Sequence, residues 1–144
     1  MFEYHGWVTV WEGACEVEDD LALREKNCRE IQLLAEKYRD NMSRVEFYHQ
    51  NGSPYVRFDG DRNHYQAWVL ELFIRIGEIA KGSHGLLYVR DQENPDYGNE
   101  FQVWRMAKGK ITKMKDTLLS PCDPTIETYG LIGCCARQIA PCGE

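Results

Sequence analysis

Apolar and polar residues alternate from the start of this chain. In FEYHGWVTVW, the residues Phe2, Tyr4, Trp7, Val8 and Val10 supply strand formers. Gly6 interrupts the run and shifts its alternation, which predicts a bulge or a close approach to the backbone. The period then becomes helical. Leu21, Cys28, Ile31, Ala35 and Tyr38 recur at spacings of three, four or seven, predicting a helix over about 19–40. Its acidic first turn suits the positive end of the helix dipole. Glu25–Arg29 and Lys26–Glu30 are four-apart pairs on its wet face.

RVEFYHQNGSPYVRFDG reads as a hairpin, because Asn51-Gly52 suits a tight turn between two β-rich runs. Trp68, Leu72, Ile76, Ile79 and Ala80 form a second helical stripe, running to about Lys81. Asp61 or Asn63 is its expected N-cap and Gly82 its C-cap glycine. Strands follow at about 86–90, 101–106 and 110–114. The loop DQENPDYGN joins the first two, and Lys108-Gly109 turns into the third. The order β-α-β-β-α-β-β-β implies a mainly antiparallel sheet with two helices on one face, an α+β fold. Residues 1–128 are expected to form this domain, with 129–144 a cysteine-rich tail of open role.

Composition narrows the functional classes. Apolar residues make up 43% of the 144, enough to form a core without metal or disulfide. No run of some eighteen apolar residues exists to span a membrane as a helix. MFEYHGWVTVWEG lacks a basic start and an apolar h-region, so the expected compartment is the cytoplasm. Acids outnumber bases 23 to 17, a formal charge of -6. That sign disfavours nucleic acid and anionic membrane as partners and is compatible with a basic protein.

Six cysteines is a high count, yet no CxxC occurs and no His stands at zinc-finger spacing. Reduced thiols follow, since disulfides belong to exported proteins. DGDRNHYQ departs from the EF-hand loop, so Asp59 and Asp61 do not mark a calcium site. A phosphate-cradling glycine loop precedes a helix, whereas Gly82 follows one. No cofactor is called for. Catalysis would need His84 with Asp91 or Glu100 as an acid/base pair, brought together by the fold. The C-terminal cysteines leave a thiol-based metal or redox protein as a further alternative.

Four stretches carry a family resemblance: FEYHGWVTV, GSHGLLYVRD, NEFQVW and LLSPCDPTIE. Together they resemble the immunity protein 7 family of bacterial polymorphic toxin systems, from about Phe2 to Glu127. The resemblance implies a small cytoplasmic α+β protein made beside a toxin gene, which binds the cognate C-terminal toxin domain and does no chemistry. Many such toxins are nucleases with basic clefts, which an acidic surface can fit. The acidic loop is then the candidate toxin-binding surface, with Asp91, Glu93, Asp96 and Glu100 around a Tyr97 anchor. A second candidate patch is Glu16, Glu18, Asp19 and Asp20. The resemblance fixes neither the toxin's activity nor the oligomeric state.

Overall fold

The computed structural model describes residues 1–13 and 21–128. The patch at Glu16, Glu18, Asp19 and Asp20, the acidic turn expected at the start of the first helix, and the 129–144 tail lie outside them. The elements are β1 (Phe2–Thr9), α1 (Leu21–Tyr38), β2 (Ser43–Gln50), β3 (Ser53–Arg62), α2 (Ala67–Ile79), β4 (His84–Asp91), β5 (Gln102–Ala107), β6 (Lys110–Lys115) and a short helical turn, α3 (Cys122–Thr125). The strands form one antiparallel sheet in the order β2-β3-β1-β4-β5-β6. The α+β fold and the element order agree with the sequence expectation, α3 being the addition.

β1 lies in the middle of the sheet, and its period of two sorts the whole molecule. Phe2, Tyr4, Val8 and Val10 are buried against the helices. Gly6 is also buried, so the alternation does not shift there and no bulge forms: the register with β3 and β4 runs through it unbroken. The expected close approach is present instead. Phe58, directly opposite on β3, lays its ring where a Cβ at Gly6 would stand. The β2–β3 turn is also as expected, with Asn51 and Gly52 both at positive φ.

The inner face is closed by α1 and α2. Val69, Leu72, Phe73, Ile76 and Gly77 are the buried positions of α2, a stripe at the i, i+3, i+4, i+7, i+8 spacing of a core-facing helix. Trp68 sits between the helices, its ring stacked on Tyr38 at 5.3 Å and edge-on to Tyr4 at 5.7 Å. On α1 the buried residues are Asn27, Ile31 and Ala35, and Leu21 is exposed. The stripe is thus shorter than its apolar pattern, which counted Leu21 into it.

Three local expectations are corrected. Glu30 does not serve a Lys26 pair but reaches Arg75 of α2 at 3.2 Å, because the helices lie side by side. Neither Asp61 nor Asn63 caps α2: Asp61 belongs to β3, and the extended Gln66 stands at the cap without a side-chain bond. Gly82 is not a left-handed C-cap. Its N–H donates to the Trp11 carbonyl at 2.8 Å, and a Cβ there would stand 2.7 Å from Gly13 N and from the Trp11 ring.

Leu72 is 1% exposed at the centre of the helix–sheet contact. Leu72→Ala is expected to destabilise the fold by about 2–5 kcal/mol in denaturant melts, as a cavity-forming change does. A loss under about half a kcal/mol would contradict this packing.

Candidate interaction surface

With both long helices on one face, the residues that alternate with the core point to the other. The register lays them in rows across the strands. One row runs Glu46, Arg57, Trp7, Leu86, Arg105; the next runs Arg44, Asp59, His5, Tyr88, Val103. The chain closes part of this face itself. Phe101, Val103 and Cys122 are buried but stand apart from the helix-side core. Arg90 occupies an outward position, opposite Glu3, yet is only 2% exposed. Its guanidinium donates to both carboxylate oxygens of Glu127 at 2.9 Å, a two-pronged pair across the end of β4.

The segment that supplies Glu127 is held by a series of bonds. Asp116 accepts from the Leu118 and Leu119 N–H groups and from the Ser120 hydroxyl, at 2.9, 3.1 and 2.7 Å. Ser120 Oγ in turn accepts from Phe101 N–H at 2.9 Å. Burial pushes the Asp116 carboxyl up, but these donors outweigh it and hold it below the ordinary aspartate range. Asn99 adds three bonds, its carbonyls taking the Cys122 and Asp123 N–H groups and its amide reaching the Asp123 carbonyl.

Asn99 belongs to the loop between β4 and β5, so the expected acidic surface is tied to this segment. Asp91 ends β4, and its carboxylate accepts from the Glu93 N–H at 3.1 Å. Asn94 Oδ1 accepts from the Asp96 and Tyr97 N–H groups, folding the loop tip. Asp96 and Glu93 are exposed, and Glu100 is half-buried. Arg90 does not offset these acids, being committed to Glu127. The neighbouring basic side chains are His64, 3.0 Å from Glu93, and Lys113, 4.9 Å from the centre of the Tyr97 ring. Tyr97 is 42% exposed and already covered on one side by that ammonium.

The acid/base pair is not assembled. His84 opens β4 and Asp91 closes it, so they stand about 23 Å apart at the strand rise. Glu100, just before β5, is at the same far end as Asp91. His84 instead meets Trp7 edge-on at 6.1 Å, and the adjacent Ser83 is buried with its hydroxyl bonded to Trp11. Cys28 and Cys122 are free thiols, and burial raises the pKa of each, which favours the protonated form. Cys134, Cys135 and Cys142 lie outside the described residues. Among the described residues, no three His, Cys, Asp or Glu side chains gather into a metal-binding group. No helix among them is long and apolar enough to cross a membrane.

The sequence reading missed the groove on the open half of the face. It measures about 710 Å³ and is lined by Glu3, His5, Arg39, Arg44, Glu46, Asp59 and Asp61 among others. Its signal was the alternating charge at Arg44 and Glu46 of β2 and at Arg57, Asp59 and Asp61 of β3, which becomes a surface only once the register places the strands side by side. Glu3 carries His5 at 2.9 Å and Asp59 carries Arg57 at 3.3 Å. Behind it, Tyr4 donates to Ser43 Oγ, which also accepts from Arg62 at 2.9 Å, and Arg62 pairs with Asp40. The Met42 N–H and then that guanidinium hold the Asp40 carboxyl below its ordinary range.

Comparison with known proteins gives one match. A family model described as Immunity protein 7 matches residues 1–128. Among curated proteins and solved structures, none matches the chain.

Two outcomes follow from the covering segment. Glu127→Gln removes the carboxylate that faces a buried guanidinium and is expected to cost about 1–3 kcal/mol in denaturant melts; an unchanged midpoint would mean that the pair does not hold the segment. Asp116 has a lowered folded pKa, so its stabilisation is complete above the ordinary aspartate pKa of about 3.9 and is lost as pH falls through the lower folded value. Asp116→Asn should be less stable at pH 7, with the gap closing in acid. A gap that stays constant down to pH ~2 would contradict the assignment.

Proposed function

The chain belongs to the immunity protein 7 family, and we propose that it protects the producing bacterium by binding and neutralising a cognate polymorphic toxin domain in the cytoplasm. The family match over residues 1–128 carries this reading. Inhibition is by occupancy rather than chemistry, in keeping with the separation of His84 from Asp91 and the protonated state of the two described thiols. The toxin is a basic protein, of the nuclease type, whose substrate-binding surface this acidic chain opposes.

A local cluster of acids on the sheet supports a basic partner. Glu3, Asp59, Asp61 and Asp91 gather at one end, where β1 begins and β3 and β4 finish. Arg105, Lys108 and Lys110 lie towards the other. Arg62 and Arg90 at the acidic end are paired with Asp40 and Glu127, so the cluster can still attract a cationic partner and speed encounter. The 91–100 loop, with Asp91, Glu93, Asp96 and Glu100 around Tyr97, contributes to that steering.

Co-expression with the toxin domain encoded beside its gene should restore growth, and the two chains should co-purify. Toxicity unrelieved by this chain would refute the reading. The chain ended at Thr128 should protect equally, because it retains Glu127 and the whole family-like region. Replacing Asp91, Glu93 and Asp96 by Asn, Gln and Asn should slow association by up to about tenfold at low salt and flatten its salt dependence, with little change in dissociation. Unaltered association kinetics would remove the loop from the steering surface.

A further inference from the structure

We propose that the toxin is held on the open β2–β3–β1 face of the sheet, with Trp7 as its apolar anchor and the adjoining groove as the seat of a Lys- or Arg-bearing segment. This rests on the toxin-binding reading above and names the surface that performs it. The first support is the unequal treatment of one sheet face. The 116–127 segment covers the Arg90 end of β4 and the Val103 end of β5, burying Phe101, Val103 and Arg90, and among the described residues the β1–β3–β2 half is left uncovered. Solvated faces of antiparallel sheets carry polar residues, yet Trp7 stands there 44% exposed between Arg57 and Leu86. Tyr48 and Tyr55 stack on each other at 5.5 Å one row away. Half-exposed Trp and Tyr on rigid strands are the side chains that dominate interface energies, since little freedom is lost when they are covered.

The second support is charge complementarity. Four carboxylates line the groove against two guanidiniums, Arg39 and Arg44. Asp59 and Glu3 already have Arg57 and His5. The side chains of Asp61 and Glu46 enter no hydrogen bond or ion pair among the described residues, so they are the carboxylates left for an incoming cation. The groove abuts Trp7 through His5, the next outward residue of β1. A partner that covers the indole can therefore place one cation at Glu46, in the row of the indole, and another at Asp61, two rows along. The loop speeds encounter and the sheet face slows departure, which makes the two surfaces kinetically separable.

The test measures association and dissociation of the full chain with the toxin domain encoded beside its gene. Trp7→Ala should weaken binding at least about tenfold, chiefly through faster dissociation. The pair Asp61→Asn with Glu46→Gln should weaken it comparably and reduce its salt dependence. Because these side chains point away from the core, the melting temperature should stay where it was; should Trp7→Ala fail to fold, Glu46→Lys offers a repulsive substitute at an exposed edge-strand position. Wild-type chain that does not bind the toxin domain overturns the immunity reading itself. Wild-type binding that survives all these variants overturns the assignment of the face while leaving that reading intact. A wild-type dimer in sedimentation that Trp7→Ala dissociates, with toxin affinity unchanged, would assign the face to self-association and overturn the proposal.

Discussion

A sheet that carries all its long helices on one side has a second side to account for, and the rest of this molecule follows from how that is done. β1 sits at the centre with every second residue committed to the helix-side core. Its other residues, and those of the strands beside it, are forced outward. On β4 that geometry puts Arg90 on the outer face, where the Glu127 carboxylate and the segment behind it enclose the guanidinium. A buried guanidinium is strongly destabilising without a facing carboxylate. The Arg90–Glu127 pair therefore decides which half of the face is sealed and which stays open. Asp116, Ser120 and Asn99 then fix the path of the segment through bonds to backbone groups.

The same division organises charge. The covered part holds apolar groups, the enclosed Arg90–Glu127 pair and the bonded Asp116, whereas the open half carries Glu3, Glu46, Asp59 and Asp61 with Arg44 and Arg57 beside Trp7. On the proposed toxin-binding reading, this separates two tasks that often conflict. Rate of encounter depends on long-range potential and tolerates mobile, solvated acids. Residence time depends on short-range burial and needs rigid groups. The 91–100 loop has the first property, with its exposed carboxylates and Tyr97 already under Lys113. The strand residues have the second.

Much of the architecture was legible because it rests on local periodicity. The alternation in β1, the stripe around Leu72 and Ile76, and the Asn51-Gly52 turn each declare themselves within a dozen residues. What was illegible depends on partners distant in sequence. Gly6 looked like an interruption because the ring filling its place comes from Phe58. Gly82 looked like a helix cap because the Trp11 strand end that crowds it comes 71 positions earlier. Nothing near Arg90 in sequence announces its partner Glu127, 37 positions away. The candidate surface suffered most. A run of acids is visible in one dimension, so the loop was found. The groove draws two to four residues from each of three strands, and only their register makes them neighbours.

Side-chain hydroxyl-radical footprinting of the full chain, alone and bound to the toxin domain encoded beside its gene, tests this account most directly. It reads the solvent exposure of aromatic residues individually. Complex formation should protect Trp7, Tyr48 and Tyr55, while Leu23 and Leu33 on the exposed side of α1 keep their reactivity. Protection of Leu23 and Leu33 with Trp7 still fully reactive would contradict it, because the toxin would then be seated on the helices and the open sheet face would have no part in neutralisation.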